Sequence, residues 1–182
     1  MAVVIDLRKF SIEGVDEMSD SRSDPRTGTL KLNFLSHGTI ESTDTEKSRK
    51  FYEDFLGLDV IRTSPISLLL RLGGTNALAC VEVKEKAEMP MLNHNGLDVL
   101  TKADVDEAHT MAEAQSEKWG IKKLTRPLEQ HGTYAFFICD PDDNWWEILT
   151  NPEGGYSWMF DRGEQSGRGH LDKDFERPEE TL

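Results

Sequence analysis

Apolar positions along the chain change period twice, and the whole sequence of changes occurs again further on. At His37-Gly-Thr-Ile-Glu41 they alternate, which predicts a short strand with Ile40 on one face and His37, Thr39 and Glu41 on the other. Thr43-Asp44-Thr45-Glu46 follows as a helix start, and Phe51, Phe55 and Leu56 mark one helical face that ends at Gly57. Three strand-like runs come next, over 59–62, 67–72 and 77–83, with Gly73-Gly74 as a turn. His94-Asn-Gly-Leu-Asp98 then restarts the pattern. Thr101 to Asp104 opens a second helix with Val105, Ala108, Met111, Ala112 and Trp119 on its inner face, and Gly120 closes it. Runs over 122–126, 134–139 and 145–149 complete the second unit, with Asp140-Pro-Asp-Asp-Asn144 as the last hairpin turn.

Each unit therefore reads β-α-β-β-β. A sheet with one apolar face cannot bury that face alone, so the two units must pair. The expected class is α+β, with a first module over 31–89 and a second over 90–150. Residues 1–30 and 151–182 are polar and poor in period, and read as N- and C-terminal arms. Glu17 to Gly28 reads as loop with a turn at Asp24-Pro25. Tyr156-Ser-Trp-Met-Phe160 is the exception in the second arm, an aromatic cluster expected to pack back on the core.

Composition narrows the partners. Against 21 Lys and Arg stand 34 Asp and Glu in 182 residues, a net charge of −13. Nucleic acid is bound by clustered cations, so this balance argues against it, and against an anionic membrane surface. No apolar run approaches the ~20 residues of a spanning helix. The β-branched run after Ala2 is too short for a secretory signal. Cys80 and Cys139 lie in apolar strand text and read as buried free thiols. The expected setting is cytoplasmic.

Candidate chemistry follows from the faces. His37 and His94 take the same position in the two units, pointing away from the helices. In Trp145-Trp-Glu-Ile-Leu149, Trp146 and Ile148 fit the helix side and Glu147 the other. Two His and one carboxylate converging on open positions suit Fe(II), and also fit Mn(II) or Zn(II). Val81-Glu82-Val83 repeats that alternation, which makes Glu82 a candidate fourth ligand or a surface acid.

These residues resemble the vicinal oxygen chelate superfamily, the fold of glyoxalase I, extradiol dioxygenases, and fosfomycin- and bleomycin-resistance proteins. The resemblance rests on His37-Gly-Thr-Ile, Ser48-Arg-Lys-Phe-Tyr52, Phe55-Leu-Gly-Leu-Asp-Val60, His94-Asn-Gly-Leu-Asp-Val99 and Asp140-Pro-Asp-Asp-Asn-Trp-Trp-Glu147, and spans about residues 33–150. It implies paired βαβββ modules forming a half-barrel cup around a divalent metal, with His37, His94 and Glu147 at the ligand positions. A three-ligand site resembles the extradiol dioxygenases, which bind a catecholate and O₂ at Fe(II). The His and Tyr that branch often carries are absent, with Gly74-Thr75-Asn76 and Phe137 in their places. His131, and more weakly Tyr134, remain as acid–base candidates. A four-ligand site with Glu82 resembles glyoxalase I, a lyase or isomerase for which Ni(II) is a further candidate metal. Thr39 fits the fosfomycin group, but Asn151, Pro152 and Tyr156 stand where a basic residue is expected. Metal-free binding is the non-enzyme alternative, disfavoured because all three ligand positions are filled. Gly38, Gly96 and Trp145 suggest a cup for a flat ring, with Thr39, Phe137 and Trp145 as its wall. The expectation is an extradiol-type dioxygenase acting on a catechol-like diol, and a homodimer.

Overall fold

The computed structural model describes residue 29 and residues 34–152, 154–172 and 175–177. The loop and turn expected over 17–28, and with them the N-terminal arm, lie outside the described residues. Ser36–Leu182 is the compact unit that carries the site.

Its elements run in the expected order. In the first module, β1 (His37–Ser42) leads to α1 (Thr45–Lys50), then to β2 (Asp59–Ser64), β3 (Ser67–Arg71) and β4 (Ala77–Glu82). In the second, β5 (His94–Asp98) leads to α2 (Lys102–Ala114) and α3 (Ser116–Trp119). These are followed by β6 (Lys123–Leu124), β7 (Leu128–Gln130), β8 (Thr133–Cys139) and β9 (Trp145–Thr150). The α+β class and the paired βαβββ modules stand as expected. The first helix opens where Asp44 accepts from the Glu46 and Lys47 N–H groups. It widens into a π-helical turn over Phe51–Phe55 and ends before Gly57 at φ +71. Thr101 and Asp104 form a reciprocal capping box on α2. That helix breaks at Gln115, one turn earlier than its apolar face suggests, and β7 is a strand the pattern did not mark.

The sheets have matching topology. In one the order is β1-β4-β3-β2; in the other it is β5-β9-β8-β6, with β7 also on β8. β1 pairs β4 in parallel and β5 pairs β9 in parallel, so each module begins on an edge strand. The helix-side faces share one core. Ile40, Tyr52, Leu68, Leu70 and Cys80 from the first module meet Val105, Phe136, Ile138, Trp146 and Ile148 from the second. Cys80 and Cys139 are buried free thiols, pushed up by burial to about 12 and about 11.

The Asp140–Asn144 turn locks the modules together. Asp142 accepts from the Thr43 N–H and hydroxyl at 2.8 and 2.7 Å and from the Ser48 hydroxyl at 2.6 Å. The Asn144 amide donates to the Glu41 carbonyl at 2.9 Å. Tyr52 and Trp146 both donate to Asp140 at 3.1 Å. Every one of these groups is thereby satisfied where water is scarce.

After β9 the chain turns back. Trp158, on α4 (Ser157–Arg162), is 8% exposed, so the aromatic cluster does pack on the core, although Phe160 is 86% exposed. Among the described residues, no helix is long and apolar enough to cross a membrane.

Candidate metal centre

Register decides which side chains meet. Gly96, Glu147 and Phe137 form one cross-strand row, and His94, Trp145 and Cys139 form the next. Trp146 and Ile148 face the helix-side core, so alternation turns Trp145, Glu147 and Phe137 to the opposite face. Glu147 is 7% exposed. The His94 Nε2 lies 3.2 Å from its Oε2. The His94 ring stands edge-on to Phe137, centroids 5.0 Å apart. Gly96, beside Glu147 in the row, puts no side chain over the carboxylate.

The His94 tautomer follows from its other nitrogen. Nδ1 is 2.8 Å from the Met91 carbonyl, which can only accept. Nδ1 therefore carries the proton, and Nε2 of the neutral ring turns a lone pair toward the carboxylate. Two acceptors 3.2 Å apart need a proton or a cation between them. Burial pushes the Glu147 carboxyl above its ordinary range; His94, His131 and the Gln130 amide oppose that shift. A half-buried imidazole held by a carbonyl, next to a buried carboxylate, is a donor set that fits a divalent metal.

The other expected residues lie in several places. His37 Nδ1 lies 2.8 Å from the Ser36 hydroxyl, which can donate or accept; the residue is exposed and does not join His94 and Glu147 in one cluster. Among the described residues no three His, Cys, Asp or Glu side chains converge as a metal site. Thr39 and Trp145 line one cleft of about 480 Å³, together with Met89, Asn93 and Asn95. Trp145 is fixed there by donating from Nε1 to the Met89 carbonyl at 2.9 Å.

Of its two expected places, Glu82 takes the exposed one, and Tyr134 lies on the helix side. In the parallel register, Gly96 pairs Glu147 while Thr39 pairs Ala79, so the counterpart of Glu147 in the first module is Ala79. Glu82 is three residues further on, an odd shift that turns it to the helix face. There it accepts from the Thr45 N–H and hydroxyl at 3.1 and 2.7 Å, and the Thr45 hydroxyl above all holds its carboxyl below the ordinary range. Tyr134 packs against the helix-side core and donates to Asp106 at 2.7 Å. His131 sits on the turn between β7 and β8 at φ +55, within electrostatic reach of Glu147.

Sequence reading missed Gln130, because β7 itself went unmarked. Tyr156 was legible only as part of the aromatic cluster and for not being basic. Burial raises the Tyr156 phenol, which lies near Glu147, Thr133 and Asn151.

Two βαβββ modules on a shared core, with a histidine–carboxylate pair on the face away from the helices, define a paired-module protein of the chelate type. The chain belongs to the Glyoxalase/Bleomycin resistance protein/Dioxygenase superfamily, whose model matches residues 35–148. Solved structures of that kind resemble it. The fosfomycin resistance protein FosX of Listeria monocytogenes, complexed with Mn(II) and sulfate, matches at a TM-score of 0.56 and 18% identity. That match covers 71% of this chain and 98% of that one. Lactoylglutathione lyase of Agrobacterium tumefaciens matches at 0.50 and 21%, over 67% and 96%. An integron cassette protein from the mobile metagenome of a Halifax Harbour sewage outfall matches at 0.53 and 18%, over 66% and 100%. At these identities the likeness is one of fold. No curated protein matches the chain in sequence.

Proposed function

We propose that the protein is a divalent-metal-dependent enzyme that holds a small molecule by two adjacent oxygens, with extradiol-type opening of a catechol-like diol as its reaction. The observation that carries this reading is the facing pair of acceptors, His94 Nε2 and Glu147 Oε2, 3.2 Å apart on a buried face. The imidazole and carboxylate suit Fe(II) first, and by donor type also Mn(II), Ni(II) or Zn(II). Such a metal, bound there, would polarise the substrate oxygens and, as Fe(II), admit O₂.

His37 is the third ligand in this reading, and a second copy of the chain supplies it. Its Nδ1 is engaged by the Ser36 hydroxyl, it is exposed, and it begins an edge strand. The remaining residues orient and shield. The Met91 carbonyl fixes the His94 tautomer, and His94, with His131 and Gln130 of the β7–β8 turn, partly offsets the upward pull of burial on the Glu147 carboxyl. Trp145 lines the cleft, and Phe137, packed against the His94 ring, excludes water. The glyoxalase-type alternative loses support because Glu82 is committed to Thr45.

Metal analysis tests the reading first. Chelated and reloaded protein is expected to hold stoichiometric metal, and His94→Ala and Glu147→Ala to lose it. No uptake by the wild type overturns the proposal and leaves metal-free binding. Incubation of the Fe(II) form with catechols under air is expected to give yellow ring-fission products. Metal retention without such products rejects the dioxygenase step and favours isomerase or lyase chemistry at the same site.

A further inference from the structure

We infer that the C-terminal segment completes a second subsite, beside Glu147, where the His131 and His170 imidazoles bind a carboxylate on a small molecule. This rests on the reading of His94 and Glu147 as the reacting end, and extends it by naming what holds the other end of the substrate.

The segment is seated firmly. The Arg162 guanidinium lies over the Trp158 and Phe175 rings at 5.2 and 4.7 Å and donates to the Glu176 carbonyl at 2.7 Å. Arg177 donates to the Thr150 carbonyl at the end of β9, also at 2.7 Å. Gly132 shows how close the packing is. A Cβ there would come within 3.1 Å of both Phe175 and Trp158, at a φ of +75. The β7–β8 turn and the segment therefore hold each other in place.

Between them is a cavity of about 740 Å³. His131 meets it from the turn and His170 from the segment, their rings edge to face with centroids 4.8 Å apart. His131 holds φ +55, a conformation rarely used by a residue with a side chain and often found at functional sites. Asp172, Glu176 and Arg177 line the cavity as well, Arg177 being held on the Thr150 carbonyl. The Lys102 ammonium pairs with Glu129, and the Thr133 hydroxyl donates to the Gln130 carbonyl at 2.9 Å. Both histidines are exposed, and among the described residues neither imidazole has a hydrogen bond to the protein, which leaves both open to solvent and to a ligand.

An imidazole always carries at least one N–H. The two rings, set edge to face, offer two donors, and a carboxylate offers two acceptor oxygens. A bound carboxylate would accept from both rings in place of water. The same turn reaches Glu147 through Gln130 and His131. One small molecule could thus place its oxygens at His94 and Glu147 and its carboxylate between the two histidines.

The test uses full-length protein with ¹⁵N-labelled histidine and two probes, benzoate and benzamide, which lack the vicinal oxygens. Benzoate is expected to shift the His131 and His170 imidazole resonances saturably, and benzamide to leave them unmoved. His170→Ala, at an exposed position, should melt like the wild type and weaken benzoate by about tenfold. Absence of a shift up to millimolar benzoate overturns the inference, as does a shift confined to His94. Equal response to benzamide overturns the carboxylate assignment. Metal uptake is read separately on the same samples, so failure of the proposed enzyme function leaves the benzoate result intact.

Discussion

Glu147 is a carboxylate that the fold makes expensive to ionise. It lies in a strand buried on both faces, opposite Phe137, with one imidazole at 3.2 Å. Its folded pKa is raised by burial, so the folded state binds this proton more tightly than the unfolded chain does. The ionised form therefore costs stability at neutral pH. That cost shrinks as pH falls through the raised value and is gone below about 4.5, the ordinary value. Glu147→Gln in chelated protein is expected to melt higher than the wild type at neutral pH, by about 2–4 °C for each kcal/mol relieved. The two curves should meet in acid, as thermal melts across pH will report. Added metal should reverse the order, because only the carboxylate gains a strong ligand bond. At this scale the alternation of Trp146-Glu147-Ile148 was enough to place the acid on the right face. The same alternation at Val81-Glu82-Val83 left Glu82 open between ligand and surface acid, because a strand pattern fixes faces within a strand and says nothing of its register with its neighbour.

Between elements, the Asp140–Asn144 turn does more than close a hairpin. Its carboxylates and amide reach across to β1, the start of α1 and Tyr52, and so fix one module on the other. Asp142 is the informative member. Burial alone would raise its carboxyl, but hydrogen bonds from Ser48 and Thr43 outweigh that and hold it below 3.8. A depressed folded pKa gives stability that is present above the unfolded value and lost as pH falls through the folded one. Asp142→Asn keeps one acceptor oxygen and turns an amide toward a partner. It is expected to cost about 1–3 kcal/mol at neutral pH, with the deficit closing in strong acid, measured by denaturant unfolding. The turn was legible in the sequence as Asp-Pro-Asp-Asp-Asn, and so were both helix starts and the Gly57 and Gly120 stops, because these signals are local. β7 and the break at Gln115 were not legible, because pairing with β8 and packing across the core decide them.

For the whole molecule, the question is where the third ligand comes from. His37 and His94 occupy the same register position in two modules, yet only His94 has a carboxylate beside it, since Ala79 stands where Glu147 would. If a second copy supplies His37, two defective chains should repair each other. Mixing His37→Ala with Glu147→Ala is expected to restore metal binding in about half of the sites of the mixed dimers, while each variant alone binds none. Metal content of the mixture measures this, and no recovery would put the third ligand elsewhere. The sequence by itself determined the α+β class, the two βαβββ units, the faces of His94 and Glu147, and the buried state of both cysteines. All of these depend on periods of two or 3.6 and on cap residues, which act over a few positions. Only the tertiary structure decided that Glu82 caps a helix, that Tyr134 faces the core, that His37 stands apart from the pair, and that the C-terminal segment brings His170 to His131. Those outcomes depend on strand register and on contacts between residues far apart in the chain, which no local pattern encodes.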